Sequence, residues 1–193
     1  IIDTNSQFQK NIMNDYKNLK INYIHKPNLF PGGARNLGVK NSNYEIICFL
    51  DLKTFPKNNK WLENLYKYYQ NNKENIIFGS TNYSKNKNTY QTKLIIASSF
   101  GNVNHQTIPG SIMSKKIFYK VGLFYENVRA GEDYEWKNRA KDMFLNIDTN
   151  YNDPLNYYPI DSNILGLARK YFIYNVHSSR LNILTNQKMF FMS

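Results

Sequence analysis

Short apolar runs recur along the chain, separated by polar stretches long enough for helices. The clearest run is Ile46-Ile47-Cys48-Phe49-Leu50, bounded by polar residues, which predicts a buried strand ending on Asp51. Ile21-Asn22-Tyr23-Ile24 alternates in character and predicts a short strand closed by Lys26-Pro27. Ile76-Ile77-Phe78-Gly79 predicts another, 109–114 one more behind a turn, and 144–148 the last. Ile1-Ile2 running into Asp3-Thr4-Asn5-Ser6 reads as the tail of a strand turning into a capped, polar helix that reaches about Leu19.

Helical segments fall between these runs. Residues 32–42 form one, entered through Gly32-Gly33. Trp61, Leu62, Leu65, Tyr66 and Tyr69 recur at helical spacing and predict one buried face, with Asn58 or Asn59 as the cap. Ser114 is placed to cap a helix over Lys115–Val121, which Gly122 stops. Residues 80–93 are polar and lysine-rich and read as a loop leading to an irregular segment through Phe100. Tyr157-Tyr158-Pro159 reads as a turn after the core. Beyond it Ile164, Leu165, Ala168, Phe172 and Val176 fall near one helical face, and 188–192 is apolar with a basic flank.

Composition changes this picture only a little. At 193 residues, with 41% hydrophobic residues, the chain is one domain's worth of sequence and long enough for a sizeable core. A net charge of +11 favours an anionic partner without choosing among a nucleoside diphosphate, nucleic acid and an acidic membrane surface. Cys48 is the single cysteine, so no disulfide within the chain is possible. No apolar stretch reaches the roughly 18–20 residues of a membrane-spanning helix. A cytoplasmic location is the expectation.

Three stretches carry candidate chemistry. In the first, Gly32-Gly33-Ala34-Arg35-Asn36-Leu37-Gly38 precedes the strand ending on Asp51, and a carboxylate at the carboxyl end of a buried strand is where open α/β sheets place ligands. The second is Gly110-Ser111-Ile112-Met113-Ser114, continuing to Val121-Gly122-Leu123-Phe124-Tyr125-Glu126. The third, Gly131-Glu132-Asp133-Tyr134-Glu135, puts adjacent carboxylates at a helix start, where free backbone N–H groups stabilise them as anions. An ionised carboxylate there can take a proton from a hydroxyl; acidic residues are also ordinary chemistry for a first helical turn.

These stretches, in this order, resemble the family 2 glycosyltransferases of the GT-A fold over about residues 1–142. The resemblance implies an α/β fold, a Rossmann-like mixed sheet flanked by helices, with the first strand missing and a helical C-terminal tail. It implies a GT-A domain over residues 1–156, with a donor half at 1–84 and an acceptor half at 85–156, and a tail at 157–193. The implied reaction moves a sugar from a nucleotide-diphosphate donor to a saccharide or lipid-linked hydroxyl, with inversion by direct displacement. Asp133 would be the base and Glu132 its neighbour. Asp3 would contact the nucleoside, its other reading being a helix N-cap, and Gly33, Arg35, Asn36, Asp51 and Lys53 would form the donor side. Such enzymes serve polysaccharide and cell-envelope synthesis, and the basic, apolar tail suits either a peripheral contact with the inner membrane face or packing against the domain. A non-catalytic GT-A module for binding or assembly is the rival reading. No nucleic-acid signature accompanies the charge, so no nucleic-acid partner is expected.

The family places Asp-x-Asp at the end of this strand to hold a divalent ion such as Mg or Mn, whereas this chain has Asp51-Leu52-Lys53. If the strand persists, Lys53 projects to the same side as Asp51. Three arrangements follow: Lys53 contacts the diphosphate in place of the ion, it points away while Asp51 keeps a weakened metal site, or it pairs with Asp51. His25, His105 and His177 show no ligand spacing with one another, and His177 reads as a surface residue.

Overall fold

The computed structural model describes residues 1–4, 18–83, 90, 93, 104–157 and 164–181. The predicted helix before Leu19, most of the 80–100 segment and the apolar stretch 188–192 lie outside the described residues. In chain order the elements are β1 (Ile2–Asp3), β2 (Ile24–His25), α1 (Pro31–Lys40), β3 (Ile46–Cys48), β4 (Thr54–Phe55), α2 (Trp61–Gln70) and β5 (Ile76–Tyr83). They continue with β6 (His105–Ser114), α3 (Lys115–Val121), α4 (Glu132–Asp142), β7 (Ile147–Asp148), β8 (Leu155–Tyr157) and α5 (Ile164–Ser179).

The main sheet is mixed, in the order β3-β6-β5-β8-β4. β6 runs antiparallel to both β3 and β5. On its other side β5 pairs in parallel with β7 through Ile76 and Ile77, then with β8 through Thr81, Asn82 and Tyr83. β1 and β2 form a separate parallel pair. Strand residues alternate between faces, and the core divides accordingly. Ile76, Phe78, Ile108 and Met113 pack with Phe49, Phe118, Phe124 and Trp136, whereas Ile77, Ile112 and Leu155 pack with Trp61, Leu65 and Tyr69 of α2.

Several predicted bounds change. β5 extends four residues past Gly79 because the polar stretch 80–83 finds a backbone partner in β8, a strand that the sequence reading took for a turn at Tyr157. The run 144–148 contributes only Ile147–Asp148. Phe144 is 96% exposed, with φ 54°, and its N–H bonds to the Lys141 carbonyl in the winding-down of α4. α2 buries Trp61, Leu65 and Tyr69, but Leu62 is 54% exposed and Tyr66 also faces out, since a residue one step on lies about 100° round the helix. Asn58 bonds through its Oδ1 to the N–H of Lys60, just ahead of that helix, and Ser114 caps α3 by accepting from Ile117 N–H at 3.2 Å. On α5 the expected apolar face is bare, Leu165 being 80% and Phe172 70% exposed, while Tyr174 and His177 lie on the inner side.

The β5–β6 crossing sets the depth of the sheet. A Cβ on Gly79 would stand 2.2 Å from the Pro109 carbonyl oxygen, so only glycine lets the two backbones meet where the register shifts. Ser111, wholly buried, accepts from Gly79 N–H at 2.7 Å and donates to the Thr107 carbonyl at 3.0 Å. Ser111→Ala leaves both backbone groups buried and unpaired and should cost about 1–3 kcal/mol. The check is a lower urea midpoint at unchanged m-value.

Candidate functional site

Helix α1 is fixed in place by its own sequence. Proline is favoured at a first helical position, and Pro31 occupies it. A Cβ on Gly32 would lie 2.1 Å from the Tyr125 carbonyl oxygen, so glycine brings this helix against the 124–126 segment. Asn36, buried, donates through Nδ2 to the Phe124 carbonyl and to Glu126 Oε1, each at 2.9 Å, and accepts from Phe124 N–H at 3.0 Å. One position earlier and about 100° round the helix, Arg35 faces the end of β3.

Arg35 joins three segments. Its Nη1 donates to Glu132 Oε1 at 2.7 Å, and its Nη2 donates to both oxygens of Asp51, at 3.1 and 3.3 Å. Its guanidinium lies 5.7 Å from the centre of the Phe124 ring. Burial works to lower its proton affinity, but Asp51, Glu132 and Asp133 outweigh that and raise it. Glu132, at the first position of α4 and 4% exposed, has its carboxyl pushed up by burial and by Asp133, against the downward pull of Arg35. Among the described residues its Oε2 has no hydrogen-bond partner. Asp133 is half-buried, accepts from Tyr134 N–H at 2.8 Å, and bears electrostatically on both Arg35 and Glu132.

A cleft of about 1060 Å³ opens beside this pair, with Thr4, Arg35, Asp51, Leu52, Arg129 and Tyr174 among its walls. Arg35 and Asp51 line this cleft, whereas Glu132 and Asp133 meet Arg35 from the start of α4 and are not among the residues that line it. Asp3, Gly33 and Asn36 do not line the cleft. Gly33 faces Leu29 and Glu126, and Asn36 spends its amide on the 124–126 segment, so both position α1. The Asp3 carboxylate accepts from the Tyr23 hydroxyl at 2.6 Å and meets His25 Nδ1 at 3.3 Å. The strand that would set Lys53 beside Asp51 does not continue, because the chain turns after Asp51. Thr54 N–H and Oγ1 both donate to the Asp51 carbonyl, while Asp51 N–H donates back to Thr54 Oγ1. Lys53 stands exposed in that turn, and Asp51 pairs with Arg35 instead of with it. His177 sets its ring edge against Phe30 rather than facing solvent, with its Nδ1 buried and unpartnered.

Three neighbours escaped the sequence reading. Arg129 and Tyr174 line the cleft, and Tyr157, its hydroxyl pushed up to about 12 by burial, by Tyr174 and by Asp51, stands near those two residues. Arg129 sits in a loop without periodicity and Tyr174 on the polar side of a helix, so neither carries a local signal. A divalent ion does not fit the donor set at Asp51. That carboxylate already serves a guanidinium with both oxygens, Glu132 serves the same cation, and among the described residues no three His, Cys, Asp or Glu side chains converge.

Arg35→Ala should strip the buried Glu132 carboxylate of its guanidinium partner and cost about 3–5 kcal/mol. Since Glu132 holds its proton more tightly folded than unfolded, its favourable term is complete below the ordinary glutamate range and is lost as pH rises through the folded pKa. Without Arg35 that pKa rises further, so the deficit should be smaller near about pH 5 than near about pH 8, read from urea midpoints at each. Arg35→Lys should not restore stability, because one ammonium cannot span Asp51 and Glu132 as a guanidinium does.

Residues 1–130 match the family described as glycosyl transferase family 2. An uncharacterized glycosyltransferase of Rickettsia bellii (strain RML369-C) is 37% identical over 125 residues, 61% of this chain and 18% of that protein. One from Rickettsia felis (strain ATCC VR-1525 / URRWXCal2) is 35% identical over 125 residues, 61% of this chain and 20% of the relative. The chain thus spans about a fifth of the length of the curated relatives it matches. Among solved structures, S. aureus TarS 1–349 in complex with UDP-GlcNAc superposes with a TM-score of 0.59 at 16% identity, covering 86% of this chain and 50% of that one. A second S. aureus TarS structure gives 0.58 at 17% identity, over 83% and 30%. The matched span takes in α1, Arg35 and the carboxylate after β3, and with its mixed α/β sheet of GT-A type the chain belongs to glycosyl transferase family 2.

Proposed function

We propose that this chain transfers a sugar from a nucleotide-diphosphate donor to a hydroxyl of a saccharide or lipid-linked acceptor, with inversion. The observation that carries the reading is the Arg35 bridge, which ties Asp51 at the end of β3 to Glu132 at the start of α4. Donor chemistry belongs at a strand end and proton transfer at the helix start, and one guanidinium holds them in register. That a similar fold, TarS, was solved with UDP-GlcNAc supports a nucleotide sugar as the donor class. The exposed Leu165 and Phe172 of α5 support a peripheral contact with a membrane surface, where a lipid-linked acceptor would lie. No described helix is long and apolar enough to cross a membrane.

The donor occupies the cleft with its diphosphate toward Arg35 and the turn 51–54. The acceptor hydroxyl approaches Asp133, whose carboxylate in the first turn of α4 is stabilised as an anion by free N–H groups. As the hydroxyl oxygen bonds to the anomeric carbon, its proton passes to Asp133, and the bond to the diphosphate breaks with its electrons on the departing phosphate. Glu132, spent on Arg35 and holding its proton more tightly, positions rather than reacts. Asp133→Asn should lower turnover by about 100-fold or more while leaving donor affinity within about twofold. Release of nucleoside diphosphate, measured over a panel of nucleotide sugars and acceptors, checks it. Unchanged turnover removes Asp133 as base, and donor binding without any turnover in the unmodified chain supports the rival, a non-catalytic module.

A further inference from the structure

The cations around Tyr174 are not explained by the Arg35 bridge. Arg129 is exposed and lines the cleft, and it makes no ion pair among the described residues. Tyr174, on the facing helix, lines the same cleft; burial pushes its hydroxyl up, with Glu132 and Tyr171, while Arg129 draws it down. Lys170, one turn earlier on α5, holds its ammonium 5.3 Å from the centre of the Tyr174 ring. Lys53, in the turn after Asp51, is near enough to join burial in lowering the proton affinity of Lys170. Neither lysine has a carboxylate partner among the described residues. Glu132 also acts on this ring, but its carboxylate is already spent on Arg35, so the group about Tyr174 keeps an excess of positive charge that favours an anion. The chain's buried or half-buried guanidiniums elsewhere are neutralised, Arg35 by Asp51 and Glu132 and Arg139 by Glu135.

We propose that Arg129 and Lys170, which flank Tyr174, together with Lys53 beside Lys170, hold the diphosphate of the donor directly, and that this chain binds it without a divalent ion. The inference rests on the donor reading above and gives it a charge mechanism. In the transition state a departing diphosphate gains negative charge, and fixed cations can meet that charge as an ion would. Arg129 supplies a planar fork suited to two phosphate oxygens, and the lysines supply point charges. Lys53 thus stands for the second carboxylate of the Asp-x-Asp pattern with the opposite sign. The disagreement between the Asp51 donor set and a metal site then has a physical cause, since an ion there would face the guanidinium of Arg35, which already holds both oxygens of Asp51.

The test is calorimetric titration of the chain with inorganic pyrophosphate and with a panel of nucleoside diphosphates, each in chelator and again with Mg or Mn. Pyrophosphate should bind in chelator, with affinity changed by less than about threefold on adding metal. Arg129→Gln and Lys170→Gln should each weaken binding at least about tenfold, and Lys53→Gln likewise, with circular dichroism unchanged. Lys120→Gln, an exposed charge on α3 outside this group of cations, should leave affinity as it was. Binding that requires metal, or that survives loss of both Arg129 and Lys170, overturns the proposal. Failure of the donor reading looks different: pyrophosphate binds through the same cations, yet no nucleoside diphosphate binds better than pyrophosphate.

Discussion

A guanidinium shared between two carboxylates holds this site together. Arg35 is nearly buried, and so is Glu132; neither ion would be tolerated there alone. Their contact fixes the start of α4 against α1, and the second arm of the same side chain fixes the backbone where β3 leaves the sheet. Three stretches far apart in sequence are therefore positioned by one planar group. The geometry needs arginine, because each acid takes a different nitrogen.

The scaffold beneath that contact is mostly apolar and backbone-driven. Gly32 and Asn36 bring α1 against the 124–126 segment, and Phe124 packs between Phe49, Phe118 and Trp136 under the guanidinium. A motif that looks functional in one dimension thus divides into two jobs on a helix. Arg35 turns toward the cleft; Gly32, Gly33 and Asn36 turn toward the partner segment and determine where Arg35 stands. In this chain the motif is a packing code before it is anything else.

What was legible in the sequence was what local chemistry decides. The apolar run before Asp51, the glycine entry to α1, the Ser114 cap and the acidic start of α4 are all set by neighbours a few residues away, and the structure has each of them. Illegible features depend on distant partners. Residues 80–83 look like a loop until β8 supplies hydrogen bonds from more than seventy positions on. Lys53 appears to share a side with Asp51 only while the strand is assumed to continue, and the Thr54 hydroxyl ends it by closing a turn. Arg129 and Tyr174 meet across the cleft from a loop and a late helix, a pairing that no spacing encodes.

The position of β8 sets the order in which the cleft can be completed. β4 reaches the main sheet only through β8, so the turn bearing Lys53 has no strand to rest on until residues 155–157 have arrived. The loop that must close is about a hundred residues long, which adds only modest entropy but delays the contact relative to local ones. During synthesis, then, the Asp51 end of the sheet is available to form early while its Lys53 flank waits for α5 to emerge. A ribosome-bound fragment ending before β8 would carry the bridge partners without the wall that faces them.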